Sequence, residues 1–161
     1  MQIRDLQLVE AINGLILKWQ LRGLVHDSRN HGVFRKSGGL KEVSWGNDGF
    51  ILKDEAFSSI SEYCNLVENR QYSMLLNDGS LFQISYTLER QTIVKHRLCW
   101  YPCPVSVDSS DLDLNNITDI ILDKMSSGDL DSFRSRSPLR FDYAPQQASE
   151  DHPTVHMHLS E

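Results

Sequence analysis

Three of the six histidines fall within seven positions, as His152, His156 and His158. Along an extended segment side chains alternate between faces, so His156 and His158 share one face. Val155, Met157 and Leu159 take the other, the side expected to meet the core. Two imidazoles so spaced stand roughly 6.5–7 Å apart at Cα and can converge on one metal ion or one phosphate. His152 has matching parity, with Pro153 between it and the strand. Neutral imidazole and carboxylate suit zinc and related divalent ions. A divalent metal ion held by His152, His156 and His158 is therefore one expected cofactor. The same pair also works without metal near neutral pH. One imidazole then accepts a proton while the other donates one, as in RNA phosphodiester cleavage. Asp142 can orient an imidazole or add a ligand. Arg140 and Arg136 can neutralise a phosphate. The expected catalytic set is His156, His158, Asp142 and Arg140. The alternative is a polar sheet face whose histidines satisfy local hydrogen bonds.

No other stretch competes as a site. Gly38-Gly39 and the Gly46/Gly49 pair lack the Lys-Ser/Thr of a P-loop and the dinucleotide G-x-G-x-x-G, and read as turns. There is no Gly-x-Ser-x-Gly elbow. His26-Asp27-Ser28 holds triad residue types, but adjacency in sequence does not arrange a relay. Cys99 and Cys103 are spaced C-x3-C, unlike redox or zinc motifs, and read as buried thiols near a strand end.

The elements that must position the histidines follow from local patterns. Asp5 to Leu21 reads as an amphipathic helix with Leu8, Ile12, Leu15 and Trp19 inward, stopped by Gly23. A polar stretch from His26 to Gly39 follows, then a short strand at Leu40–Trp45. A second helix is expected over Asp54 to Glu68, with Phe57, Ile60, Cys64 and Val67 on one face. Tyr72–Leu76, Asn77-Asp78-Gly79 and Ser80–Leu88 read as strand, turn and strand, because glycine accepts positive φ. A third strand, Thr92–Tyr101, follows a reversal at Glu89-Arg90-Gln91 and ends before Pro102 and Pro104. Leu139–Tyr143 and Thr154–Leu159 read as two further strands. Residues 106–137 are rich in Ser and Asp and read as an insertion or a lid. Within them Ile117, Ile120, Ile121 and Met125 mark a short helix. The expected fold class is α+β: N-terminal helices with a curved, mostly antiparallel sheet of about five strands.

The chain has 161 residues, 16 Lys+Arg against 22 Asp+Glu, and a formal net charge of −6. This length fits a single domain over 1–161 with a real core. The acidic balance argues against broad non-specific nucleic-acid binding but leaves room for a local basic patch. Hydrophobic residues are 40% and charged residues 24%, so a wholly disordered chain is excluded. The apolar run at 11–17 is too short to span a bilayer. Three cysteines, with no secretory signal, suit a reducing compartment, and a cytoplasmic protein is expected.

One block of residues resembles a known family. It comprises Gln71-Tyr72, Leu75-Leu76, Asp78-Gly79, the run Leu98-Cys99-Trp100-Tyr101-Pro102-Cys103-Pro104, then Pro138-Leu139-Arg140-Phe141-Asp142-Tyr143, His152-Pro153 and His156. It is similar to the bacterial domain of unknown function 2290 family, and the Leu-Arg-Phe-Asp-Tyr plus His-Pro-x-x-His combination is its most specific part. That resemblance implies a longer chain, continuing into a Cys-Arg-Ile-Pro-like segment and a terminal helix. A chain truncated at Glu161 should then expose an apolar patch beside its last strand. Ala144 stands where the resemblance implies a second acidic residue. In layout the chain is also similar to TumE-type toxins of toxin–antitoxin pairs. Together these imply a nuclease-like or other phosphoester-directed hydrolase in a phage-defence or toxin–antitoxin context, with nucleic acid or a protein as partner and no membrane. The alternative is a non-catalytic binding or regulatory module that partners an effector protein. Oligomeric state is not set by the sequence.

Overall fold

A computed structural model describes residues 4–46, 60–134, 137–143, 145 and 154–159. Helix α1 (Asp5–Gln20) has Asp5 in its first turn and Lys18 in its last, each complementing the helix dipole. Its inward residues are Ile12 and Ile16. Leu15, expected inward, is exposed instead. The side chain of Asn13 ties the helix down, accepting from the His31 N–H at 2.8 Å and donating to the His31 carbonyl at 3.1 Å.

Strands β1 (Val25–Ser28) and β2 (Gly32–Arg35) occupy what reads in sequence as a polar stretch. Strand β3 (Lys41–Ser44) pairs with β2, and helix α2 (Ile60–Glu68) is the described part of the expected second helix. Phe57 lies outside the described residues. Strand β4 (Met74–Leu76) turns into β5 (Leu81–Glu89) as expected. Asp78 Oδ1 accepts from the Ser80 N–H at 2.9 Å, and Gly79 has φ +77°. Gly79 also faces a close neighbour, since a Cβ there would stand 2.8 Å from Cys103 Sγ. Strand β6 (Thr92–Tyr101) follows a two-residue reversal in which Arg90 and Gln91 both take positive φ, the geometry that matches strand twist.

Helices α3 (Ser109–Leu114) and α4 (Ile117–Ser127) lie in the Ser/Asp-rich stretch. Asn116 caps α4, its side chain accepting from the Thr118 N–H. Strands β7 (Leu139–Tyr143) and β8 (Val155–Leu159) complete the sheet. Among the described residues eight strands form one sheet in the order β1-β4-β5-β6-β7-β8, with β2 and β3 branching from β5. The expectation of about five strands is corrected upward, and the described pairings are antiparallel.

The sheet is covered on both faces. On one, Tyr63, Leu66 and Val67 of α2 and Ile117 and Ile121 of α4 pack on Leu75, Leu81, Cys99 and Tyr101. On the other, Ile12 and Ile16 of α1 pack on Val43, Met74, Ile84 and Leu88. This α1 layer stops short of the β7–β8 end, leaving an open apolar groove of about 770 Å³ walled by α1 and by Phe82, Leu98, Trp100 and Phe141. Here Val155 and Met157 are 61% and 51% exposed. The expectation that they face the core is therefore corrected: their sheet face is apolar, but no helix among the described residues covers it there. With Phe141 they form an apolar patch beside the final strand. No helix among the described residues is long and apolar enough to cross a membrane.

Candidate functional site

The candidate site is built by register across three strands. Arg97 of β6 lies opposite Asp142 of β7, and Asp142 lies opposite His156 of β8. One pair further along, Cys99, Arg140 and His158 form a second row. Period two on β7 puts Arg140 and Asp142 on the same sheet face. Their alternation with Leu139, Phe141 and Tyr143 separates this charged face from the apolar groove behind it.

Asp142 is 4% exposed, and two guanidiniums meet it. Arg97 Nε donates to Oδ1 at 3.3 Å, and Arg140 Nε stands 2.7 Å from Oδ2. One carboxylate thus stands between two guanidiniums. A buried carboxylate needs such partners, since taking an isolated charge out of water is costly. Two neighbouring guanidiniums suit a phosphate or another anion, which their forks bind through paired N–H groups.

The flanking groups are held neutral. Burial pushes the Cys99 thiol up to about 11, so it is protonated at neutral pH and is no nucleophile. Burial likewise raises Tyr101, whose hydroxyl donates to Gln83 Oε1 at 3.4 Å. On the opposite face His96 stacks on Tyr143 with ring centroids 5.4 Å apart, and burial holds its imidazole below the usual histidine range.

The sequence-predicted residues thus divide. Asp142 and Arg140 meet directly. His156 and His158 join them as ladder positions. His152, expected as a third metal ligand, and Arg136 lie outside the described residues. No group of three His, Cys, Asp or Glu side chains gathers around a common point among the described residues. Arg97 is the member that sequence reasoning missed. Its signal was an arginine in mid-strand, two residues from Cys99 and four from Tyr101, on a face otherwise turned inward.

A family model described as an uncharacterized conserved protein (DUF2290) matches residues 24–161. The chain belongs to the DUF2290 family. The DUF2290 match takes in every strand and helices α2 to α4, hence the whole Arg97–Asp142–Arg140 cluster. It leaves out α1. No curated protein and no solved structure matches the chain.

Proposed function

We propose that this DUF2290 chain is a phosphoester-directed hydrolase, nuclease-like in its chemistry, acting in a phage-defence or toxin–antitoxin setting. The observation that carries the reading is the Arg97–Asp142–Arg140 cluster, its carboxylate buried, in ladder register with His156 and His158. In this reading the guanidiniums hold the phosphoryl oxygens and stabilise charge that grows on them in the transition state. One imidazole takes the proton of the attacking hydroxyl or water, and the other protonates the leaving oxygen. Asp142 is the positioning group for the arginines and for the histidine opposite it. A divalent ion on the histidines is the metal-dependent variant of the same reading.

Metal analysis of the purified protein, with RNA and DNA cleavage assays, tests this. Cleavage should fall by at least about a hundredfold in His156→Ala while the fold persists. It should fall similarly in Arg97→Lys, which loses the planar fork. Absence of cleavage with and without added divalent ions, or cleavage unchanged in both variants, refutes it.

A second reading, a non-catalytic module that partners an effector protein, is favoured by a different observation, the open groove beside exposed Phe141, Val155 and Met157. Such a partner would present an apolar segment to it. Phe141→Asp and Met157→Asp would then abolish partner binding while Arg97→Lys leaves it intact, with no cleavage by any form of the protein.

A further inference from the structure

Helix α1 turns a second apolar stripe outward, away from Ile12 and Ile16. Leu6, Leu17 and Leu21 fall on one side of the helix at a spacing of eleven and four residues, and they are 65%, 55% and 80% exposed. Gly14 lies exposed on the same side. Glycine in mid-helix weakens a helix relative to alanine. Among the described residues nothing calls for it at position 14. The backbone there is ordinary helix, and a Cβ on Gly14 would meet nothing within 4 Å. A close approach from outside gives the missing reason, since a small residue at a crossing lets helix axes come within about 8 Å.

We infer that the outer face of α1 is a homodimer contact, on which the α1 of a second copy packs antiparallel, crossing at Gly14. The charges select this occupant. An antiparallel crossing at Gly14 sets Glu10 of each copy against Lys18 of the other, two complementary pairs by symmetry. It also sets Gln7 against Leu21, a flexible side chain against a large apolar one. A parallel crossing would instead set Glu10 on Glu10. A membrane surface fits less well, because Glu10 and Gln7 share the exposed side and the chain carries a net charge of −6. This contact lies on the layer that the family model leaves out, and it is independent of the phosphoester chemistry at β6–β8.

Sedimentation velocity of the full chain over a concentration series tests the contact. A reversible dimer is expected. Leu17→Glu/Leu21→Glu should raise its Kd by at least about a hundredfold, with an unchanged circular dichroism melt showing that the fold survives. Glu10→Lys should raise Kd roughly tenfold, and adding Lys18→Glu should restore it to within about twofold. A monomeric mass across the whole series overturns the proposal. So does a dimer indifferent to Leu17→Glu/Leu21→Glu, or one that the charge swap does not restore. A monomer that instead floats with anionic phosphatidylserine vesicles overturns it in favour of a membrane surface.

Discussion

Asp142→Asn keeps the shape of the side chain and removes the charge that two guanidiniums share. Arg97 and Arg140 are 11% and 20% exposed at the side chain, so neither can simply hydrate in place. Breaking one partner out of a buried ion cluster costs about 3–5 kcal/mol. The partial exposure of Arg140 moves the expectation to the lower end, about 3 kcal/mol. With a urea m-value of about 2 kcal/mol/M for a chain of this size, the unfolding midpoint should fall by about 1.5 M. Urea titration followed by circular dichroism measures it. The triple variant Arg97→Met/Asp142→Leu/Arg140→Met removes all three charges together and should return to within about 1 kcal/mol of wild type, because apolar replacement of a whole buried cluster is often neutral. It should have no hydrolase activity. A single-variant loss under about 1 kcal/mol would refute the reasoning, since the carboxylate would then be well solvated.

Further outcomes follow from other sites. Gly79→Ala should cost at least about 2 kcal/mol in chemical denaturation, because its φ is +77° and its Cβ would press on Cys103 Sγ. Val155→Ala and Met157→Ala, both at exposed positions, should each cost under about 1 kcal/mol, against about 2–5 kcal/mol for buried Ile16→Ala. Burial holds the His31 imidazole, which bonds to the Ile84 carbonyl at 2.9 Å, below its usual value of 6.5. The unfolded chain therefore takes up this proton at higher pH than the folded one. Stability from this group is complete above about pH 6.5 and declines as pH falls toward the lowered value, and His31→Phe should flatten that slope in melts run from pH 7.5 to 4.5.

Signals that act within a few residues were legible in the sequence. The β4–β5 turn rests on Asp78 and Gly79, and the β5–β6 pairing on two β-rich runs either side of a short reversal. Longer-range facts were not. β1 and β2 hold four residues each, and β1 carries Asp27, whose charge is accommodated by Arg70 bonding both oxygens at 2.8 Å from 43 residues away. The face of α1 was read correctly at Leu8, Ile12 and Trp19 but with Leu15 in place of Ile16, because the two are equally apolar and only packing decides between them. Parity placed Val155 and Met157 on one sheet face with Phe141. It could not tell how far α1 reaches across the sheet. Asp142 and Arg140 were visible as a motif, whereas Arg97 acquires its meaning only through a ladder that joins it to a residue 45 positions later.

The same ladder bears on the order of assembly. β5 and β6 close through a two-residue reversal, a contact that forms early because little chain entropy is lost. β7 must then cross from beyond residue 137 to reach β6. Until it arrives β6 is a bare sheet edge, the kind of surface on which chains stick to one another. Arg97 stands in the middle of that edge with its carboxylate still absent, so two such intermediates meeting edge to edge would oppose like charges. In such an intermediate the arginine would guard the unfinished sheet until Asp142 arrives to pair with it.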